Sequence, residues 1–135
     1  MIVVDASVFA HALLNPDPLG DLCRTNLEAD NRWIAPQHWT IEVLSVIRRF
    51  SRAGTITAAQ AAQAVTALEK LDPEVPITRV LVPRIWDLRD NLTAYDAAYV
   101  AAAEAYDCEL LTTDSRLANA PGIVCTVRVL RTADS

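Results

Sequence analysis

The stretch TAYDAAYVAAAEAYDCELLTTDSR, residues 93–116, joins an alanine-rich run with helical spacing to a short apolar run. Asp96 stands at the head of the first, and Asp114 follows Leu110-Leu111-Thr112 at the end of the second. The chain opens in the same way, with the β-branched run Ile2-Val3-Val4 leading directly into Asp5. Short continuous apolar runs are the signature of strands buried on both faces. An acid just past such a strand projects outside the carboxyl edge of a sheet, where open α/β sheets collect their ligands.

Working outward, Ile2–Val4, Trp33-Ile34-Ala35, Val75–Thr78, Glu109–Thr112 and one or two runs within Val124–Leu130 read as strands. Helices are expected over Ser7–Leu14, halted by Asn15-Pro16-Asp17-Pro18, and over Leu19–Ala29. A long helix is expected from Gln37 to Arg52, with Ile41, Leu44 and Ile47, and Val43 and Phe50, on its inward stripe, ending at Gly54. Thr57 caps a helix running to Leu71 with Ala61, Val65 and Leu68 inward. Another passes through Ile85, Trp86 and Leu88, where Pro83 must delay its start or kink it, and the last covers Thr93–Tyr106. Strands alternating with helices predict an α/β domain with a parallel sheet covered on both faces.

Residues 1–135 are expected to form one domain, large enough to bury roughly 65–70% of its unfolded surface. Cys23, Cys108 and Cys125 are odd in number and lack metal-ligand or redox spacing, so they read as reduced thiols of a cytoplasmic protein. Neither a signal peptide nor a membrane span is apparent. The net charge of −5 argues against a surface coated for nonspecific nucleic-acid binding. Yet eleven of the twelve cations are arginines, whose planar fork suits local phosphate or carboxylate contacts.

Glu42, early in the long helix, and Asp96 start from the same edge of the sheet as Asp5 and Asp114. Each acid has a plain alternative: Asp96 as a capping residue, Glu42 as a solvated helix-start acid, Asp5 as a turn residue, Asp114 as the cap of a short helix. Taken jointly, four carboxylates from four elements converge on one crevice. They would repel one another and raise each other's pKa, a penalty that a divalent cation removes. Oxygen-only donors favour Mg²⁺ or Mn²⁺ over zinc, and a cation so held suits phosphodiester hydrolysis.

The segments VVDASVF, WTIEVLSVIRR, LTAYDAAYVAAAE and LLTTDSRL, in this order and spacing, resemble the PIN-domain ribonucleases, particularly the VapC-type toxins of toxin–antitoxin pairs. The resemblance covers almost the whole chain. It implies a PIN-like three-layer α/β/α sandwich with a central, mainly parallel sheet. It also implies a Mg²⁺- or Mn²⁺-dependent endoribonuclease acting on structured RNA such as tRNA or rRNA. Asp5, Glu42, Asp96 and Asp114 match the family's acidic quartet, with Asp5, Asp96 and Asp114 as metal ligands. Thr112 and Ser7 match its small hydroxyl positions beside the acids. The family further implies a homodimer held inactive by a VapB-type antitoxin, for which the groove between the Gln37–Arg52 and Thr57–Leu71 helices, with Trp39, is the expected seat.

Other residues carry open alternatives. Ser7 and Thr112 serve either as supports of the acids or as plain backbone caps. Arg116 is the stronger phosphate candidate; in the basic run Arg48, Arg49 and Arg52, Arg49 lies two turns from Glu42 on the same face, but the run reads rather as a solvated helix end. His38 is weighed as a general base and disfavoured, and Trp39 is left open for base stacking. Rival folds fit poorly. A dehalogenase-like phosphatase wants D-x-D where Asp5 is followed by Ala6-Ser7, and a phospho-receiver wants a strand-end lysine where Lys70 lies within a helix. A non-catalytic interaction domain that keeps the acids for a partner's arginines is the remaining alternative.

Overall fold

The computed structural model describes residues 1–133. Strands β1 (Ile2–Val4), β2 (Trp33–Ile34), β3 (Glu109–Thr112) and β4 (Val127–Val129) form one sheet in the order β2-β1-β3-β4. Every neighbouring pair is parallel, with Val3 opposite Ile34 on one side and Leu110 on the other. Ile2, Val3, Val4, Leu110, Leu111 and Thr112 are all buried, as the continuous apolar runs require of strands covered on both faces.

Among the described residues, seven α-helices surround the sheet: α1 (Ala6–Leu14), α2 (Pro18–Glu28), α3 (Trp39–Arg52), α4 (Ala58–Glu69), α5 (Val82–Asp87), α6 (Ala94–Ala105) and α7 (Ser115–Asn119). They cover both faces, giving the three-layer α/β/α sandwich. Helix α1 is packed by α2, α3 and α4; α6 lies on β1 and β3 and is flanked by α5. The alanine run of α6 is buried from Ala97 to Ala103, because small side chains let this helix approach the sheet closely. The remaining core is contiguous, from Phe9 and Trp39 to Leu88 and Leu117.

Local chemistry fixes the boundaries. The residues that halt α1 also start α2: Pro18 occupies its first turn, and the Asp17 side chain accepts the Gly20 N–H at 2.9 Å. Thr57 and Gln60 exchange a full capping box at the head of α4. Helix α3 ends in a Schellman motif, with Thr55 N–H bonded to Phe50 O and Gly54 N–H to Ser51 O. Gly54 adopts φ 74°, a conformation that costs glycine little.

Three expectations change. Val75–Thr78 is not a strand: an isolated parallel bridge joins Ile34 to Glu74, and a 3₁₀ turn follows over Thr78–Leu81. Pro73 and Pro76 lack the N–H groups that a ladder needs. Ile41 is not on the inward stripe but 66% exposed; the buried stripe is Trp39, Val43 and Ile47, spaced four apart. Trp39 is 5% exposed with its ring centroid 4.9 Å from that of Phe9, so it is a core residue and available neither for base stacking nor as an anchor in a groove. The Pro83 expectation resolves as a helix starting at Val82, with proline in its first turn.

The order β2-β1-β3-β4 reverses the direction of sheet growth between β1 and β3. Such a switch point opens a crevice at the carboxyl ends of the two strands. Asp5 follows β1 and Asp114 lies two residues past β3.

Candidate active site

Asp5, Glu42, Asp96 and Asp114 line a single open cleft of about 550 Å³, together with Ser7, Ser45, Tyr95, Arg49 and Arg116. Each acid comes from a different element: Asp5 is the N-cap of α1, Glu42 lies in the first turn of α3, Asp96 in the first turn of α6, and Asp114 is the N-cap of α7. Of the capping alternatives only that of Asp114 holds through its side chain; Asp5 makes no side-chain cap bond, and the capping box expected of Asp96 is not formed. Thr93 caps α6 by accepting the Asp96 N–H at 3.2 Å, and Asp114 Oδ1 accepts the Arg116 N–H at 2.9 Å.

Asp5 is the deepest of the four, only 8% exposed. Ser7 Oγ and Thr112 Oγ1 both donate to its Oδ2, each at 2.7 Å. Neither hydroxyl is free to turn away. Thr112 Oγ1 accepts the Asp114 N–H at 3.0 Å and Ser7 Oγ accepts the Thr113 N–H at 3.2 Å, which directs each hydroxyl's one proton to Asp5. The two hydroxyls thus fix a carboxylate rotamer and tie the start of the β3–α7 turn to it.

The electrostatics are those of crowded acids. Burial pushes the Asp5 carboxyl up to about 6; the Ser7 and Thr112 hydroxyls oppose the rise, and Glu42 and Asp96 add to it. Asp96 is also raised, by burial and by the charges of Glu42 and Asp114. Glu42 is driven upward by burial, but hydrogen bonds from His38 and Tyr99 outweigh this and hold it below its ordinary value. Asp114 lies low because the Arg116 guanidinium grips it, with Nη2 at 2.6 Å and Nε at 3.1 Å from both oxygens.

The donor set offered to a cation is carboxylate oxygen only, which suits Mg²⁺ or Mn²⁺. Among the described residues no three His, Cys, Asp or Glu side chains are gathered into a ready metal cage. Both oxygens of Asp114 are held by Arg116. Asp5 and Asp96, by contrast, carry raised pKa values that a cation would relieve. Arg116 is 82% exposed, so its grip on Asp114 is open to solvent.

Arg116 and Arg49 both reach the cleft, Arg116 as the ion-pair partner of Asp114 and Arg49 at the rim; Arg48 does not line it. Tyr99 escaped the sequence reading, and His38, disfavoured there as a general base, proves to be a partner of Glu42. Tyr99, wholly buried, donates its phenol to Glu42 Oε1 at 2.7 Å, and His38 Nε2 lies 3.1 Å from the same oxygen. Each had a signal: a buried phenol among alanines needs a polar partner, and His38 precedes Glu42 by four residues.

An α/β/α fold with acids from four elements at the carboxyl edge of a parallel sheet defines a class of acidic-cleft domains. A family model described as "PIN domain" matches residues 2–123. The ribonuclease VapC9 of Mycobacterium tuberculosis is 38% identical over 134 residues, covering 96% of this chain and 98% of its own. The chain belongs to the PIN-domain family, alongside the VapC ribonucleases. Solved folds agree. A crystal structure of M. tuberculosis VapC20, described as a sarcin-ricin-loop-cleaving toxin, superposes with a TM-score of 0.68 at 17% identity over 92% of this chain and 97% of that one. VapBC2 of Rickettsia felis, bound to a DNA fragment from its promoter, gives 0.66 at 15% identity over 97% of this chain and 100% of that one. Among the described residues, no helix is long and apolar enough to cross a membrane.

Proposed function

We propose that this protein is a Mg²⁺-dependent endoribonuclease toxin, with Mn²⁺ as a substitute, that cleaves structured RNA such as tRNA or rRNA. The observation that carries the reading is the convergence of Asp5, Glu42, Asp96 and Asp114 on one cleft at the switch point of the sheet. The similarity to proteins named ribonucleases supports the substrate class.

Asp5, Asp96 and Asp114 would hold the cation. When bound, it supplies activation of the attacking water and neutralisation of charge on the scissile phosphate. The chain's own residues prepare the site. Ser7 and Thr112 lock the Asp5 rotamer. Glu42, kept ionised, stands ready to take a proton from water at the cleft wall. Arg49 at the rim and Arg116, once released from Asp114, supply phosphate contacts that an acidic protein otherwise lacks.

A cognate VapB-type antitoxin is the proposed inhibitor, with a basic segment paired to the same acids. Exposed ion pairs are worth only about 0.2–1 kcal/mol each, so apolar anchorage must accompany them. The homodimer is proposed to use exposed Val82, Trp86 and Tyr95, which line an apolar groove of about 470 Å³ beside the cleft. Three free thiols, Cys23, Cys108 and Cys125, are consistent with a cytoplasmic setting.

Cleavage-site mapping on total RNA with purified protein tests the reading. Discrete new 5′ ends that vanish with chelator and with Asp5→Asn are expected. Cleavage that survives both would leave the acidic cleft without a catalytic role, as would its absence from the unaltered protein under any metal and RNA supplied.

A further inference from the structure

We infer that His38 is a positioning residue that clamps Glu42 to helix α6, with its proton on Nε2. The catalytic consequence rests on the ribonuclease reading above; the proton's location rests on geometry alone. His38 Nε2 lies 3.1 Å from Glu42 Oε1 and 3.1 Å from the Tyr95 backbone oxygen. A carboxylate and a carbonyl can only accept. A bare ring nitrogen facing both would be repelled by both, so Nε2 bears the hydrogen.

The aromatic surroundings hold the ring in that pose. Tyr95 and Tyr99 meet His38 edge-on, with centroids 5.5 and 5.3 Å away. Tyr99 donates to the same Glu42 oxygen at 2.7 Å, and the Ala6 backbone N–H lies against its phenol, next to Asp5. Oε1 of Glu42 therefore takes two donors, and Oε2 is the oxygen left for the cleft. Tyr95 and Tyr99 are one turn apart on α6 and bracket Asp96; His38 and Glu42 are one turn apart at the start of α3. The clamp thus sets the position of Glu42 relative to Asp96. The arrangement also disposes of a general-base role for Nε2, since its lone pair is occupied by the proton.

Two measurements decide it. The first is a long-range ¹H–¹⁵N correlation spectrum of ¹⁵N-histidine-labelled, metal-free protein, with His38 assigned through His38→Gln. The Nε2–H pattern is expected for neutral His38, and an Nδ1–H pattern overturns the clamp. The second compares His38→Ala with His38→Gln, whose amide keeps an N–H donor. Alanine should lower kcat about 10- to 100-fold, the usual cost of losing a group that orients an active-site ligand, with KM little changed. Glutamine should restore most of the loss. Alanine matching the unaltered protein, or glutamine failing like alanine, overturns the positioning role. Glu42→Gln and Asp5→Asn run alongside: if they retain activity, the ribonuclease-site reading falls, while the tautomer result stands on its own.

Discussion

Replacing Asp5 by Asn should make the metal-free protein more stable at neutral pH while abolishing its activity. The carboxyl has an ordinary value of 3.8 and rises to about 6 in the fold, first through burial and then through Glu42 and Asp96. Between those values the folded state holds the extra proton. Stability is therefore lost as pH rises from about 4 to about 6, and the loss is complete above that. At about 1.4 kcal/mol per pKa unit, the ceiling is on the order of 3 kcal/mol. That figure is already net of the Ser7 and Thr112 hydroxyls, which favour the carboxylate. An amide mimics the protonated carboxyl only in part, so a net stabilisation of about 1–2 kcal/mol is expected. For a chain of this size it raises Tm by roughly 3–8 °C. Thermal melts in chelator across pH should show the advantage of Asp5→Asn full at neutrality and nearly gone by about pH 4. Saturating Mg²⁺ should reverse the order, since a ligand at 100 times its Kd adds about 2.7 kcal/mol to the unaltered protein alone. A variant that is less stable at neutral pH, or an advantage that does not shrink on acidification, would refute the crowded-acid electrostatics.

Arg116→Ala should lower the slope of log affinity for single-stranded RNA against log salt by about 0.7, the share of one phosphate contact. An unchanged slope would confine Arg116 to its pairing with Asp114. Gly20→Ala should destabilise by more than about 3 kcal/mol, because overpacking usually costs 1–3 and here the added carbon would meet a backbone oxygen, Asn15 O, at 1.8 Å; urea unfolding measures it. Glu104 accepts from Arg84 Nε at 2.6 Å, Arg84 Nη2 at 3.2 Å and the Val124 N–H at 3.0 Å, so Glu104→Gln should cost about 1.5–3 kcal/mol at neutral pH. Burial opposes its ionisation but Arg84 prevails and holds it below 4.5, so that contribution is lost as pH falls through the depressed value, and the gap between the two proteins should narrow there.

The parallel sheet was legible because strands buried on both faces must be apolar throughout, and their ends must then turn polar. That is why Asp5 and Asp114 stood out, and why the α/β/α architecture followed from the alternation. Helix starts were legible for a similar reason: Thr57, Thr93 and the Asn15–Pro18 stop are local chemistry, readable within a few residues. Failures came where a local pattern met a non-local demand. Val75–Thr78 reads like a strand, yet Pro76 within it and Pro73 just before it cannot donate to a ladder. Ile41 has helical spacing, but the stripe that meets α1 runs through Trp39, Val43 and Ile47, leaving Ile41 beside Glu42 on the cleft wall. Trp39, next to the site in sequence, turns the opposite way into Phe9. Tyr99 was missed because its partner lies fifty-seven residues away and only the packing of α6 on the sheet brings them together.

Asp96 bears most directly on the central claim, that four acids from four elements act as one metal-dependent RNA-cleaving cleft. Its place in the first turn of α6, where an acid suits the helix dipole, is the plainest rival explanation of this residue. Single-turnover cleavage of one RNA should be followed in chelator-treated protein as Mg²⁺ is restored, for the unaltered chain and for Asp96→Asn side by side. The account predicts no cleavage before metal, recovery in the unaltered protein, and almost none in the variant even at saturating Mg²⁺. Equal recovery by Asp96→Asn, or cleavage by either protein before metal is added, would contradict it.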